Sequence, residues 1–297
     1  MSAGIAAVIA LDVGGSSVKS GVVRADGRVQ HQAQTPIDSS GAAELIVTTL
    51  QSAIERQLQQ VERGILRGIA FGFPGPFDYA QGVSYIGGVQ KKYEAIYGLD
   101  LHTTLRQRLG VGDLPIVFRN DAEAAIVGEA RYGAVRGYER LIGVTLGTGC
   151  GSAFLERGTP VRSGDRVPPN GELYAEPFGR AIADDVFSTR GLRTRLQAID
   201  PTIDDLAHAA GAALAGDTSL RAGFAAFGSD LGTFLAPYVR DFDAEVVLVL
   251  GGIARSLALF HTSLARMLPV PAVAGTLGAD AALLGAADLL LRSSVAE

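Results

Sequence analysis

The stretch DVGGSSVK, at residues 12–19, joins two apolar segments through a pair of adjacent glycines. The segments on either side, 6–13 and 18–23, both have the composition of buried β-strands. Adjacent glycines let backbone N–H groups approach an anion closely, while the hydroxyls and Lys19 add further donors. The pattern predicts a phosphate-binding turn between two strands. Taken alone, the same stretch also fits an ordinary hairpin turn.

Two details narrow the type of phosphate turn. The residue before Lys19 is Val18 and not glycine, and a strand rather than a helix follows, so the turn is not a Walker A loop. Asp12 stands at the end of the first strand, where its carboxylate can hold Mg²⁺ through water.

The order of elements around this turn occurs twice in the chain. The first copy continues with a third strand and a helix at 41–60, and the second copy has a strand at 141–146, the glycine turn GTGCG at 147–151 and a strand at 152–155. A repeat at about half the chain length predicts two lobes of like topology. A cleft between such lobes is the natural place for an active site.

The remaining elements are read from apolar runs and helical spacing. They are strands at 68–73, 115–118 and 246–250 and helices at 122–132, 253–268 and 279–291.

Two other glycine-containing turns are candidate nucleotide contacts. The turn at 147–151 lacks the spacing G-x-G-x-x-G and is followed by a strand, which excludes a dinucleotide-binding turn. Paired with residues 12–19, it suggests two loops that grip one polyphosphate, although a structural turn is the alternative. Gly251 and Gly252 lie between a buried strand and a helix, where small residues suit either an adenosine or close strand packing.

Polar residues at a strand end suggest the chemistry. Asn120 and Asp121 follow the strand at 115–118, and ligands of α/β sheets bind at such ends. Phosphoryl transfer to an alcohol needs a carboxylate near the hydroxyl, which Asp121 can supply unless it is only a helix N-cap. Glu172 follows a proline-rich loop and either accepts sugar hydroxyls or is solvated at the surface.

Composition limits the class of protein. The chain has 297 residues, of which 47% are hydrophobic, enough for two domains with cores. Its net charge of −5, with scattered basic residues, argues against nucleic acid as a partner. Cys150 is the single cysteine, which excludes an internal disulfide and a multi-cysteine metal site. With no signal-like or membrane-length apolar run, we expect a cytoplasmic protein without membrane partners.

With these residues in place, the chain resembles the ROK family (repressor, open reading frame, kinase) of the sugar kinase/Hsp70/actin superfamily from about Val8 to Asp288. Five motifs in family order carry the resemblance: DVGGSSVK at 12–19, GFPGPFD at 72–78, NDAEAA at 120–125, LGTGCG at 146–151 and VLGGIA at 249–254.

The resemblance implies an α/β fold of two actin-like (ribonuclease H-like) lobes with an interlobe cleft. The N-terminal lobe would span 1–120, with a C-terminal helix at about 279–292 packing back on it, and the C-terminal lobe would span 121–278. The implied activity is an ATP- and Mg²⁺-dependent sugar kinase, with a homodimer as the family's usual assembly.

The resemblance also implies roles for individual residues. Asp121 would be the catalytic base, and Asp12 would hold Mg²⁺ through water. Phosphate and ATP contacts would come from Asp12, Gly14, Gly15, Ser16, Lys19, Gly147, Thr148, Gly149, Gly251 and Gly252. Sugar contacts would come from Gly75, Gln90, Asn120, Asp121, Glu172 and Asp184.

Three departures from the family pattern concern the sugar side. Most members place a zinc-binding histidine two residues after the glutamate and then three cysteines, but here the position holds Tyr174 and the only cysteine is Cys150. We therefore expect no zinc site. Asp184 falls near a second sugar-contacting glutamate of the zinc-bearing members, and Gln90 stands near the position of a sugar-contacting asparagine.

Other readings stay open at the level of sequence. A sugar-responsive regulator would carry a helix-turn-helix ahead of the first strand, which begins here within the first ten residues. An actin- or chaperone-like switch would not need Asn120 and Asp121. The identity of the sugar, and polyphosphate instead of ATP as donor, are not determined by the sequence.

Overall fold

The structure is a computed structural model that describes residues 5–87 and 92–292. The chain forms two compact units, one comprising Met1–Tyr132 and Leu277–Glu297 and the other Gly133–Thr276. Among the described residues, no helix has both the length and the apolarity needed to cross a membrane.

The first unit is built on a five-stranded sheet in the order β3-β2-β1-β4-β7. The first three strands are antiparallel, whereas β1, β4 and β7 are parallel. The strands of this unit are β1 Ala7–Val13, β2 Ser17–Arg24, β3 Val29–Pro36, β4 Leu66–Phe73, β5 Phe77–Asp78, β6 Val83–Ser84 and β7 Ile116–Asn120. Strands β5 and β6 form a separate two-stranded sheet. The unit's first helices are α1 Ala43–Leu58, α2 Leu101–Leu109 and α3 Asp121–Tyr132, with a 3₁₀ turn at Glu94–Ile96.

The parallel strands bring the candidate residues to one edge of this sheet. Asp12 at the end of β1 pairs with Gly72 of β4, and Phe73 of β4 pairs with Asn120 at the end of β7. Parallel strands end at the same edge, so the motifs at 12–19, 72–78 and 120–125 converge there.

The second unit repeats this plan with a five-stranded sheet in the order β10-β9-β8-β13-β14. Here too the first three strands are antiparallel and the last two add in parallel. The strands of this unit are β8 Arg140–Leu146, β9 Cys150–Glu156, β10 Thr159–Val161, β11 Pro177–Phe178, β12 Ala181–Ile182, β13 Val246–Leu250 and β14 Ala272–Ala274. Strands β11 and β12 form a separate two-stranded sheet. The unit's helices are α4 Ala183–Phe187, α5 Thr189–Gln197, α6 Leu206–Ala215, α7 Thr218–Phe242 and α8 Leu257–Met267, with 3₁₀ turns at Pro169–Gly171 and Ile253–Ser256.

The repeated order of strands predicted from the two glycine turns is therefore present in both sheets. One predicted helix differs: residues 253–268 form a 3₁₀ turn followed by α8, because Ser256, with φ −99° and ψ 13°, interrupts the α-helical backbone.

The last helix, α9 Asp280–Leu291, belongs to the first unit. Alternate residues of β1 point to opposite faces of the sheet, so Ile9 and Leu11 pack with α1 while Val8 and Ala10 pack with Leu283 of α9. Each face of the first sheet is therefore covered by helices, as the apolar strands require.

Helix α3 lies in the first unit, although the expected domain boundary followed residue 120. It crosses α9 closely at two glycines: a Cβ on Gly128 would overlap the carbonyl of Ala281, and a Cβ on Gly285 would overlap that of Ala124. Because this contact holds α3 against α9, the unit continues to Tyr132.

Candidate functional site

The first glycine turn is held by side-chain hydroxyls from elsewhere in its unit. The N–H of Gly14 donates to the Ser17 carbonyl at 3.0 Å. The Gly14 carbonyl accepts from the Tyr93 hydroxyl and the Gly15 carbonyl from the Ser39 hydroxyl, each at 2.6 Å. Because both carbonyl oxygens already accept hydrogen bonds, their repulsion of an anion at the turn is reduced. Gly15 and Ser16 are exposed.

Asp12 and Lys19 face each other across β1 and β2. They are register partners, and the Lys19 Nζ lies 3.3 Å from the Asp12 Oδ2. Burial raises the pKa of Asp12, while the ammonium of Lys19 lowers it in part. A carboxylate at this position has the oxygen donors that Mg²⁺ prefers, and the paired lysine keeps it ionised more readily than burial alone would allow.

Asn120, not Asp121, caps helix α3. The Asn120 Oδ1 accepts from the Glu123 N–H at 3.0 Å, which is the N-cap hydrogen bond. Asp121 is the first helical residue. Among the side-chain hydrogen bonds of the described residues, its Oδ1 accepts one, from the adjacent Ala122 N–H at 2.8 Å. The simple capping explanation of Asp121 is thus wrong.

The Asp121 carboxyl has an altered acidity. Burial raises the pKa of Asp121 to about 6; the nearby Asp12 raises it further, whereas the Ala122 N–H and the Lys92 ammonium lower it. A carboxylate with a pKa near neutrality can both lose and accept a proton in the range where enzymes work.

Gly75 and Asn120 come together around Tyr79. The Asn120 Nδ2 donates to the Tyr79 hydroxyl at 3.1 Å, and that hydroxyl donates to the Phe73 carbonyl at 3.2 Å. A Cβ on Gly75 would stand 3.0 Å from the same hydroxyl. Gln90, also predicted for the sugar side, lies outside the described residues.

Lys92 and Tyr93 were not predicted, yet both lie at the first glycine turn. Tyr93 is buried, and its pKa is raised by burial and by the neighbouring Asp121 and Asp12. The Lys92 Nζ lies 3.0 Å from where a Cβ on Gly15 would stand. A lysine followed by an aromatic residue is too common a pair to have indicated this position.

The second glycine turn is tied to the start of helix α5. The Gly147 N–H donates to the Gly149 carbonyl at 3.0 Å, and the Gly147 carbonyl accepts from the Thr189 N–H at 2.7 Å. Thr148 is exposed, and a Cβ on Gly147 would meet no described atom within 4 Å. The outer side of this turn therefore has open space beside its backbone.

Asp184, expected on the sugar side, contacts this second turn. Its Oδ1 accepts from the Cys150 N–H at 2.8 Å and would lie 3.0 Å from a Cβ on Gly149. Its Oδ2 pairs with Arg190 at 3.3 Å, and Arg190 also pairs with Asp185. Both carboxylate oxygens thus serve the glycine turn and its neighbouring helix.

Tyr174 lies close to both Glu172 and Asp184. Glu172 is half-buried after the 3₁₀ turn, where the Ser152 hydroxyl donates to the Gly171 carbonyl and accepts from the Leu173 N–H. Burial raises the pKa of Tyr174, and the carboxylates of Glu172 and Asp184 raise it further. Tyr174, which stands at the histidine position of the zinc-bearing pattern, thus has two carboxylates nearby.

Gly251 and Gly252 follow β13 beside the second turn. Gly251 has a φ of 88°, and a Cβ there would overlap the carbonyl of Leu146. Only glycine fits this backbone. Gly252 has no described atom within 4 Å of its Cβ position, so a flat ligand can approach its backbone.

Over residues 5–87 and 92–292, no three His, Cys, Asp or Glu side chains are grouped so as to hold a metal ion directly. Asp12 is a single carboxylate and fits a Mg²⁺ held mainly by water and ligand oxygens.

Two units of one repeated α/β topology, each with a glycine turn between its first two strands, define a protein of the actin-like class. The ROK family pattern matches residues 8–293, and the chain belongs to the ROK family. Its α/β, actin-like fold is shared with solved structures of that family.

Three similar proteins illustrate the range of the family. A glucokinase of Thermotoga maritima is 26% identical over 95% of this chain and 96% of its own length. A ROK family glucokinase of Streptomyces griseus, solved with glucose and AMPPNP, is 24% identical with a TM-score of 0.76, covering 96% of this chain and 99% of that one. A ROK family transcriptional regulator, described as a homologue of the E. coli MLC protein, is 19% identical with a TM-score of 0.80, covering 97% of this chain and 78% of that one.

Proposed function

We propose that this chain, a sugar kinase of the ROK family, transfers the γ-phosphoryl group of ATP to a hydroxyl of a glucose-like hexose. One observation carries the choice of catalytic group: Asn120 caps helix α3, so the Asp121 carboxylate at the strand end accepts a hydrogen bond only from the adjacent Ala122 N–H among the described side-chain hydrogen bonds, and its pKa is raised to about 6. The glucokinase of Thermotoga maritima, similar over nearly its whole length, supports a glucose-like acceptor.

Asp121 would orient the attacking hydroxyl and accept its proton. Its carboxylate needs to be ionised for this step, and the Lys92 ammonium favours that form. Asn120 and Gly75, joined through Tyr79, would contact the sugar on the same side. Glu172, in the second unit, would accept hydrogen bonds from sugar hydroxyls. Gln90 would be a further sugar contact.

The two glycine turns would bind the phosphates of the nucleotide. We assign this role to Gly14, Gly15, Ser16 and Lys19 and to Gly147, Thr148 and Gly149, with Gly251 and Gly252 facing the adenosine. Asp12 would hold Mg²⁺ through water, and the metal would neutralise the charge of the phosphate oxygens. Asp184 would keep the second turn in shape through the Cys150 N–H.

A sugar-panel assay tests the proposal. The protein is incubated with ATP and Mg²⁺, and separately with polyphosphate, against glucose, mannose, N-acetylated hexosamines, fructose and β-glucosides, and the products are identified by mass spectrometry. We expect a mass increase of one phosphate on a hexose and release of ADP. Sugar-dependent binding without any phosphorylated product, from either donor, would contradict the proposal and favour a sugar-sensing role.

A further inference from the structure

Lys92 places a cation directly on the first glycine turn. Its Nζ lies 3.0 Å and its Cε 3.1 Å from the position that a Cβ on Gly15 would take. The aliphatic stem therefore lies over the glycine, and the ammonium reaches the backbone of the turn. A side chain at residue 15 would have to displace this lysine.

The same ammonium acts on Asp121. It lowers the pKa of that carboxyl against the effect of burial, which requires the two groups to lie near each other. Lys19, the other cation at the turn, is paired with Asp12 at 3.3 Å. No hydrogen bond or ion pair joins the Lys92 side chain to another residue within 5–87 or 92–292. Its charge is therefore available to a ligand.

Tyr93 fixes the backbone that carries Lys92. Its hydroxyl donates to the Gly14 carbonyl, and its N–H donates to the Ser39 carbonyl. The Ser39 hydroxyl in turn donates to the Gly15 carbonyl. These three hydrogen bonds join the segment at 92–93 to both glycines, so Lys92 is held at the turn by its neighbour.

We propose that Lys92 contacts the γ-phosphoryl group that is transferred from the nucleotide. This rests on the proposed kinase function, in which the phosphoryl group moves from the glycine turn toward a hydroxyl held by Asp121. A cation at the turn and near the base can stabilise the charge that is spread over the phosphoryl oxygens in the transition state. The contact forms no covalent bond; Lys92 remains protonated and the hydroxyl proton goes to Asp121.

Lys92→Met tests this role, because it keeps the stem over Gly15 and removes the charge. Turnover with ATP should fall about 10²–10³-fold, as for loss of one transition-state donor. Measured by calorimetry, affinity for AMPPNP should fall about tenfold or more, while affinity for ADP stays within about twofold. Lys92→Arg should recover part of the turnover. Arg28→Ala, an exposed cation of the same unit that pairs with Asp26, is the control and should change none of these values.

Two outcomes would overturn the role of Lys92. One is turnover of Lys92→Met within about fivefold of the parent, and the other is equal loss of ADP and AMPPNP affinity, which would indicate a structural effect on the turn. If the parent phosphorylates no sugar, the kinase proposal fails, but the comparison of AMPPNP with ADP still decides whether Lys92 contacts the γ-phosphate. Lys92→Gln replaces Lys92→Met if the latter does not fold.

Discussion

Asn120 caps helix α3, so the adjacent Asp121 carboxylate is not needed as a cap. The amide oxygen of Asn120 accepts the N-cap hydrogen bond, and its nitrogen donates to Tyr79. The helix is therefore capped without Asp121, whose carboxylate stays in a partly buried position that costs stability when it is ionised. Such a cost is typical of residues kept for chemistry.

We predict that Asp121→Asn lowers turnover about 10²–10⁴-fold, since it keeps the shape but removes the proton acceptor. Binding of sugar and nucleotide should persist, as measured by ligand-dependent thermal stabilisation. Asp100→Asn is the control, because Asp100 is a carboxylate that caps α2 through the Thr103 N–H. Turnover of Asp121→Asn within a few-fold of the parent would exclude Asp121 as the base.

The pKa of Asp121, raised to about 6, predicts the pH dependence of the rate. Because the base must be ionised, kcat/KM for the sugar should rise with pH through about 6 and level off above it. The free energy of unfolding depends on pH in the opposite direction. Because the native carboxyl holds its proton more tightly than the unfolded one, its contribution to stability is lost as the pH rises from about 4 through 6. Asp121→Asn should therefore melt higher than the parent at pH 8, and by less at pH 4. A rate that is flat from pH 5 to 8 would contradict the assignment.

At the scale of elements, the second glycine turn depends on α4 and α5. Asp184 of α4 accepts from the Cys150 N–H, and Thr189 at the start of α5 donates to the Gly147 carbonyl. The turn is thus shaped by hydrogen bonds from residues that follow it at a distance in the chain.

Asp184→Ala should therefore raise the KM for ATP by about tenfold, because a charged acceptor to a backbone N–H contributes ~1.5–3 kcal/mol. The KM for the sugar should change much less. Asp185→Ala is the matched control, since Asp185 also pairs with Arg190 at 2.7 Å but, among the described residues, its side chain makes no hydrogen bond with the turn. A larger effect on the sugar KM than on the ATP KM would contradict this prediction and favour the expected sugar contact of Asp184.

The crossing of α3 and α9 sets the second prediction at this scale. Because a Cβ on Gly285 would overlap the Ala124 carbonyl, Gly285→Ala must separate the helices and should destabilise the protein by about 1–3 kcal/mol. In α6, a Cβ on Gly211 would have no described atom of another residue within 4 Å. Gly211→Ala should therefore leave the stability of the protein unchanged or raise it by up to about 1 kcal/mol. Urea denaturation measures both, and equal effects would contradict the close crossing.

At the scale of the whole molecule, the chain leaves its first unit at Tyr132 and returns to it at Leu277. The face of β1 that carries Val8 and Ala10 is covered by α9, whose residues lie near the other end of the sequence. The first unit therefore needs both ends of the chain to complete its core.

We also predict that the whole protein needs no zinc. The chain has one cysteine, Cys150, which is buried, and Tyr174 stands where the zinc-bearing pattern has a histidine. Metal analysis of the purified protein should find far less than one zinc per chain, and stringent chelation should leave the melting temperature unchanged. One tightly bound zinc per chain would contradict this prediction.

The sequence by itself determined the family and the strands and helices that flank its motifs, but not helices α2 and α4 to α7. Apolar runs such as 246–250 are local and match their strands, and the two glycine turns lie between consecutive strands as expected. The sequence also identified candidate residues at strand ends, among them Asp12 and Asp121, because parallel strands end at a common edge of the sheet.

Only the tertiary structure decided which residues serve which turn. Tyr93 contacts Gly14, Asp184 contacts Cys150, and Asn120 makes the N-cap hydrogen bond that the sequence also allowed for Asp121. Each of these depends on the contacts of a single side-chain atom. The physical reason is that such hydrogen bonds join residues distant in the chain, or choose between adjacent ones. They follow from strand register and helix packing, which no local pattern of residue types contains.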